Sequence, residues 1–152
     1  MTEYPDDVEI APGLLSGDLD AKFALKIFSR KTVDEVVEYL QKEAPNPYDI
    51  FEHFYFMSNR AFLFYFPIFE KYLRAEQESY GEIDDVFVLA VLRLLKDRGN
   101  VLAGTDIGAL ISNLHRAILE LMSSKDSNST VIQEIKKLWI EASYLGLEDR
   151  GK

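Results

Sequence analysis

Apolar residues recur every three or four positions along most of the chain, which is the spacing of one face of an α-helix. The pattern predicts helices over about residues 19–29, 32–44, 46–55, 58–79, 82–99, 105–122 and 131–146. A polar connector, SSKDSNST, precedes the last helix, and no internal repeat or longer linker interrupts the series. The sequence therefore predicts a single-domain, all-α fold, an irregular helical bundle of about seven helices.

Polar residues at the predicted helix starts are of the types that cap helices. Thr32, with Glu35 three positions later, is a capping-box signature. Asn46 is followed by a proline, which is typical of an N-cap before the first helical residue. Ser58 lies at a break in the apolar pattern and predicts a further N-cap.

The aromatic residues concentrate in the stretch FEHFYFMSNRAFLFYFPIFEKYL, residues 51–73, which holds ten of the nineteen in the chain. Seven of its residues share one broad helical face: Ala61, Phe62, Tyr65, Phe66, Phe69, Tyr72 and Leu73. Because other helices carry apolar stripes that need a partner, we interpret the stretch as core. A ligand pocket and a groove for a partner are the alternatives. We expect its tyrosine hydroxyls to lie at the boundary of the core.

Pro67 interrupts this stretch and predicts either a kink or a restart of the helix, because proline removes a backbone hydrogen bond. The segment AFLFYF is also compatible with a β-strand, since aromatic residues favour strands. No second strand of similar quality is available to pair with it, so the helix is favoured.

The same periodicity assigns inward faces and domain limits. Phe23 and Ile27 are expected in the core from the first predicted helix, and Val86 from the fifth. Residues 1–18 contain two prolines and two glycines and are predicted to form an irregular acidic arm. The helical domain is predicted to span residues 19–146, followed by a charged tail at 147–152.

The chain carries 26 acidic and 17 basic residues, a formal net charge of −9, and no cysteine. This charge disfavours nucleic acids and anionic membranes, because both attract Lys and Arg. Charged residues break the aromatic stretch, so it is not expected to span a bilayer. The lack of cysteine excludes disulfides and cysteine-based zinc sites. The N-terminus does not have the pattern of a secretory signal, so a cytoplasmic location is expected.

Two segments, residues 1–20 and 76–85, hold acidic residues and no basic ones. One interpretation is a docking face for a basic protein partner, because a field of one sign accelerates encounter. The residues predicted to bind that partner are Glu76, Glu78, Glu82, Asp84 and Asp85. The alternative is a solvated surface together with favourable negative charge at a helix start.

No familiar catalytic or metal-binding spacing is present. Histidine is the side chain that titrates near neutral pH, and the chain has two, His53 and His115. Neither has the glutamate three residues earlier that a di-iron bundle uses, and no phosphate-binding glycine loop occurs. No cofactor and no metal are therefore expected. The candidate site for a small molecule is a pocket beneath the aromatic helices, formed by His53, Arg60 and Tyr65.

The segments LLSGDLDAKFALKIFSRKTVDEV and FMSNRAFLFYFPIFEKYL resemble a family of small bacterial proteins to which no activity is assigned. That family carries a Gly-Asp segment, a K-[ST]-x-x-E helix start and an F-M-x-x-x-A-F-x-Y-Y-x-P segment followed by Y-L. The matching positions are Gly17, Asp18, Lys31, Thr32, Glu35, Phe56, Met57, Ala61, Phe62, Phe64, Tyr65, Pro67, Tyr72 and Leu73. The chain departs from the pattern at Asn59, near which a proline or glycine is common, and in the heavier aromatic run at Phe64 and Phe66. The resemblance covers about residues 14–75 and implies no activity.

The small, acidic and cysteine-free chain is also similar in composition to immunity proteins of bacterial toxin systems. We therefore expect a non-enzymatic, cytoplasmic protein-interaction domain that acts through acidic surface, with an immunity-type inhibitor as one form of it. The alternative is a small-molecule-binding protein or an enzyme with its site beneath the aromatic helices.

Overall fold

A computed structural model describes residues 4–13, 19–44, 46–81, 84–98, 108–121, 133–135 and 137. All regular secondary structure in these ranges is helical, and none of the residues in them lies in a β-strand. The predicted all-α class is therefore confirmed. The strand alternative for AFLFYF is wrong, because residues 61–66 lie in a helix and the turn that follows it.

Eight α-helices occur in the described part of the chain. They are α1 (Asp7–Ile10), α2 (Leu19–Phe28), α3 (Val33–Lys42), α4 (Ile50–Phe56), α5 (Asn59–Tyr65), α6 (Ile68–Tyr80), α7 (Asp85–Asp97) and α8 (Gly108–Leu121). A 3-10 turn at Pro47–Asp49 leads into α4. Residues 133–135 and 137 are also helical, while the rest of the predicted helix at 131–146 lies outside the described residues.

Two differences from the sequence-based series have local causes. The helix predicted over 58–79 is divided, since α5 ends at Tyr65 and α6 begins at Ile68. Pro67 therefore restarts the helix rather than kinking it, as expected where a backbone N–H is missing. The predicted irregular arm contains α1, a single turn closed by a capping box between Asp6 and Glu9.

The three caps predicted at Thr32, Asn46 and Ser58 are confirmed. Thr32 Oγ1 accepts from the Glu35 N–H at 3.0 Å, and Glu35 Oε1 accepts from the Thr32 N–H at 2.9 Å. Asn46 Oδ1 accepts from the Tyr48 N–H at 3.1 Å, and Ser58 Oγ accepts from the Ala61 N–H at 3.1 Å. These bonds satisfy N–H groups that have no partner within their own helix, which is why the residue types alone located the helix starts.

The chain divides into two compact units, Met1–Ile68 and Phe69–Lys152. The first unit contains α1 to α5, and the second contains most of α6 together with α7 and α8. The limits predicted for the arm (1–18), the helical domain (19–146) and the tail (147–152) stay predictions.

The core of the first unit is built around the ring of Phe28, at the end of α2. Its centroid lies 5.7 Å from that of Phe54, in an edge-to-face arrangement at 85°, and 4.9 Å from that of Tyr65. The imidazole of His53 approaches the same ring at 6.3 Å and 82°. Phe62 extends the set with an edge-to-face contact to Phe54 at 5.5 Å. These five residues are called the aromatic cluster, and edge-to-face pairs of this kind add to the free energy of burial.

The second unit has its own, smaller group of rings. Phe87 of α7 packs against Tyr72 at 4.7 Å and Phe69 at 6.2 Å, both on α6. The seven residues predicted to share the inward face of the aromatic stretch are all buried in the folded chain. The interpretation of the stretch as core is therefore confirmed for that face.

Two residues predicted to face the core are instead exposed. The Phe23 side chain is 62% exposed, because the inward side of α2 is formed by Ala21, Ala24 and Phe28, and Phe23 lies at its flank. Val86 is 53% exposed, because it lies on the side of α7 opposite the buried face that includes Val88, Val91 and Leu95. In both helices a three-to-four spacing fits more than one face, so apolar character alone selected the wrong residue.

Tyr65 is fully buried, hydroxyl included, which corrects the expectation that this hydroxyl lies at the boundary of the core. The hydroxyl lies 2.6 Å from the carbonyl oxygen of Phe28 and 2.9 Å from that of Lys31, and its single proton is donated to this pair. Burial raises the pKa of Tyr65 to about 12, so the phenol stays protonated and able to donate. The tyrosine thereby ties α5 to the turn between α2 and α3.

Arg30 lies in that turn with a φ of 55°, in the left-handed region. It follows the end of α2, where glycine is the residue that adopts this conformation without steric cost. The neighbouring bond from the Lys31 N–H to the Phe28 carbonyl, at 3.0 Å, closes the turn around it.

We expect Tyr65→Phe to lower the free energy of unfolding by about 1–2 kcal/mol, because it removes the donor to two carbonyl oxygens and leaves the Lys31 carbonyl without that bond. Urea unfolding followed by circular dichroism measures the change. Tyr80→Phe, at a side chain that is 72% exposed, is the matched control and should change stability by less than about 0.5 kcal/mol. Equal effects of the two substitutions would contradict the role given to the Tyr65 hydroxyl.

We expect Arg30→Gly to raise the free energy of unfolding by about 0.5–1 kcal/mol, because glycine adopts a positive φ without the Cβ clash. Arg30→Ala removes the same charged side chain but keeps the Cβ atom, so it should bring no gain. Thermal and urea unfolding of the two variants separate the backbone effect from the charge effect. A gain of the same size in both variants would show that the backbone conformation is not its cause.

Candidate functional site

An open cleft of about 500 Å³ lies between α2, α3 and α4 in the first unit. Phe23 and Lys26 enter it from α2, and Glu43 enters it from the residue that follows α3. Asp49 contributes from the 3-10 turn, and Glu52 and His53 contribute from α4. These six residues define what is called here the acidic cleft; apolar side chains such as Ile27 and Leu40 line its remaining walls.

The charge of the acidic cleft is unbalanced. Three carboxylates, those of Glu43, Asp49 and Glu52, face one ammonium group, that of Lys26. Among the described residues, none of these three carboxylates forms an ion pair within 4.0 Å. The described lining of the cleft therefore carries more negative than positive charge. A cationic group that enters it would meet carboxylates together with the exposed ring of Phe23, both of which attract cations.

A second cleft of about 330 Å³ lies between the N-terminal segment, α2 and α4. Its walls include three alanines with little exposed surface, Ala11, Ala21 and Ala24. Phe56 lies at its edge, with 70% of the side chain exposed. Among the described residues that line it, Glu52 is the only acidic one, and none is Lys or Arg. This second site is called the apolar cleft.

The two clefts adjoin each other along α4. Glu52 and His53 line both of them, so the acidic cleft and the apolar cleft lie on the two sides of one ridge. The position of the ridge follows from the amphipathic pattern of α4. Ile50, Phe51 and Phe54 are buried, which leaves residues 52, 53 and 56 toward the surface.

The N-terminal wall of the apolar cleft is fixed by Arg60. Its guanidinium pairs with both carboxylate oxygens of Glu9, with Nε at 3.0 Å from Oε2 and Nη2 at 3.2 Å from Oε1. Nη2 also donates to the carbonyl of Tyr4 at 3.1 Å, and the Ser58 N–H donates to the carbonyl of Glu9 at 2.8 Å. A two-pronged pair of this kind specifies orientation as well as distance, so it holds residues 4–13 against α5.

The structure does not bring the predicted pocket residues together in either cleft. His53 lines both clefts and contacts Phe28. Arg60 is half-exposed and paired with Glu9, while the Tyr65 hydroxyl is directed at two backbone carbonyls. Neither Arg60 nor Tyr65 is among the residues that line these clefts. Of the three, His53 is the one in a position to meet a ligand there.

The acidic residues predicted to bind a partner have mixed surroundings. Asp84 Oδ1 accepts from the Phe87 N–H at 3.0 Å and so caps α7. Burial raises the pKa of Tyr72 well above its ordinary value, and the negative charge of the Glu76 carboxylate raises it further. Glu78 is exposed on α6, whereas Glu82 and the side chain of Asp85 lie outside the described residues. The assignment of a partner to these five residues stays a prediction.

The described ranges contain no group of three or more His, Cys, Asp or Glu side chains arranged to hold a metal ion. In the same part of the chain, no helix combines the length and the apolar character needed to cross a bilayer. No family model, no curated protein and no solved structure matches the chain. The resemblance to the family of small bacterial proteins therefore stays a prediction.

The acidic cleft could not be located from the sequence. The prolines of the APNP turn separate its carboxylate at 43 from those at 49 and 52, so the three share no continuous helical period. The sequence held one indication of the cleft: its three acidic residues flank a turn between two predicted helices. A turn of this kind brings the adjoining ends of the two helices close together. Lys26 and Phe23, from α2, have no local signal that links them to it.

We expect Glu9→Gln to lower stability at pH 7 and to reduce the further loss of stability in acid. The Asp6 N–H, followed by the Arg60 guanidinium, lowers the pKa of the Glu9 carboxyl below its ordinary value of 4.5. The folded-state pKa thus lies below the unfolded-state pKa, so this contribution is present above about pH 4.5 and is lost as pH falls through the folded-state value. Urea midpoints between about pH 7 and about pH 3 measure it.

Glu38→Gln is the control for this experiment, because Glu38 belongs to an exposed pair with Lys42 at 3.9 Å. Exposed pairs of this kind contribute little to stability. We expect the acid dependence of Glu38→Gln to match that of the unmodified chain. If Glu9→Gln matched it as well, the pair between Glu9 and Arg60 would not be what fixes the N-terminal wall.

Proposed function

We propose that the chain is a non-enzymatic interaction protein whose first unit receives a basic segment of a protein partner in the acidic cleft. The observation that carries the proposal is the unbalanced lining of this cleft, with three carboxylates against one lysine. A lysine or arginine side chain of a partner would supply the missing positive charge and would gain hydrogen bonds to carboxylates.

The remainder of the chain favours the same class of partner. A net charge of −9 attracts basic proteins over a distance and accelerates their encounter, whereas it opposes nucleic acids and anionic membranes. The exposed Phe23 ring adds apolar area at the rim of the cleft, and aromatic rings are enriched at protein interfaces. An immunity-type inhibitor of a basic toxin, acting in the cytoplasm, is the specific form of the proposal that this composition supports.

A second candidate is a protein that binds or converts a small cationic molecule. It is favoured by His53, a titratable side chain that stands beside the carboxylates and lines both clefts. The same charge that would bind a basic side chain would bind a free amine, so the two candidates differ in the size of the ligand and in the surface it covers.

The test compares two variants that change the net charge equally. The first variant, Glu43→Gln/Asp49→Asn/Glu52→Gln, neutralises the acidic cleft. The second, Glu76→Gln/Glu78→Gln/Glu82→Gln, neutralises three residues of the acidic segment 76–85. Each removes three negative charges, from −9 to −6. Each is used to recover binding proteins from the native cell at about 50 mM and about 500 mM NaCl, because salt screens exposed charges.

We expect the unmodified chain and the second variant to recover a basic partner at low salt, and the cleft variant to lose it. Mass spectrometry identifies the partner, and binding of the purified partner to each variant gives the Kd. Loss of at least about tenfold in affinity is expected for the cleft variant alone. Equal loss in both variants would place the contact elsewhere. A chain that recovers no protein at low salt would contradict the proposal and favour the small-molecule candidate.

A further inference from the structure

We infer that the acidic cleft and the apolar cleft bind one peptide segment together, with a lysine or arginine side chain in the first and a large apolar side chain in the second. This inference rests on the proposed function, because it specifies which kind of basic segment the protein recognises. It adds the requirement that the bound segment also carry a large apolar residue, which the net charge of the chain does not imply.

The two clefts adjoin each other closely enough for one ligand to occupy both. They share Glu52 and His53 of α4, and α2 also lines both, with Phe23 and Lys26 in the acidic cleft and Ala21 and Ala24 in the apolar cleft. An extended or helical peptide that lies across α4 would therefore place neighbouring side chains on its two sides. Its cationic and apolar residues need to be close in its own sequence.

The apolar cleft is suited to a large apolar side chain. Small side chains, those of Ala11, Ala21 and Ala24, leave space there, and the volume of about 330 Å³ accommodates a leucine or phenylalanine side chain. Burying such a side chain is worth about 1.5–3 kcal/mol. The ring of Phe56, at the edge of the cleft, would pack against it and lose exposed apolar area in the same step.

Charge determines which class of molecule can occupy the two clefts. A second copy of this chain carries the same charge of −9 and would bring like charges together at the acidic cleft. Anionic lipid and nucleic acid are opposed for the same reason. A peptide of another protein, with lysine or arginine next to a large apolar residue, satisfies the charge of one cleft and the apolar surface of the other.

The experiment is a selection of random twelve-residue peptides displayed on phage against the immobilised full chain. The strongest peptide is synthesised with a fluorescent label, and its Kd is measured by anisotropy against three variants. Glu43→Gln/Asp49→Asn changes the acidic cleft without touching the shared ridge. Phe56→Ser changes the edge of the apolar cleft at an exposed position. Tyr80→Ser is its matched control, at a side chain exposed to a similar extent in the second unit.

We expect the selected peptides to pair lysine or arginine with a large apolar residue a few positions away. Each cleft variant should weaken the best peptide by about tenfold, and Tyr80→Ser should leave its affinity unchanged. Replacing the apolar residue of the peptide by alanine should cost about tenfold with the unmodified chain and much less with Phe56→Ser, because coupled positions are not additive.

Other outcomes separate the inference from the proposed function. Peptides that are basic, show no apolar preference and bind Phe56→Ser normally would overturn the inference and leave the proposed function standing. Peptides without basic residues would contradict both. If no peptide is enriched while a basic partner is still recovered from the native cell, the inference fails alone, because the recognised surface is then not a short segment.

Discussion

Packing of the Phe28 ring is the interaction on which the first unit depends. One side chain at the end of α2 meets rings from α4 and α5, and the carbonyl of the same residue accepts from the Tyr65 hydroxyl. Side chain and backbone of Phe28 therefore fix three helices at one point. Because α2 and α4 use their inner sides for this contact, the residues on their flanks remain available at the surface, and those flanks form both clefts.

The clefts occupy the places where this packing is least complete. Alanines at 21 and 24 on α2 are too small to fill the space beside α4, and Phe23 stands at the flank instead of filling it. The N-terminal segment closes one side of that space, held by the ion pair between Glu9 and Arg60 and by the buried side chain of Ile10. Charge and apolar surface thus come to lie next to each other without disturbing the core.

How much could be predicted from the sequence depended on the range of the interactions. The caps at Thr32 and Ser58 could be predicted because a cap involves residues three positions apart. The exposure of Phe23 could not, since the neighbouring alanines determine which side of α2 packs inward. The acidic cleft could not be predicted for a stronger reason. Lys26 comes to line the same cleft as Glu43 and Asp49 only after three separate segments have packed together. No local pattern contains that arrangement.

The bond between Tyr65 and the Lys31 carbonyl has a consequence for digestion by proteases. Arg30 and Lys31 are both exposed, and each provides a peptide bond of the kind that trypsin cleaves. A serine protease must draw the scissile carbonyl into its own oxyanion hole, yet the Lys31 carbonyl is already bound to a phenol that cannot follow it out of the core. The peptide bond after Lys31 is thereby shielded from cleavage by the residue behind it, although the Lys31 side chain itself is exposed.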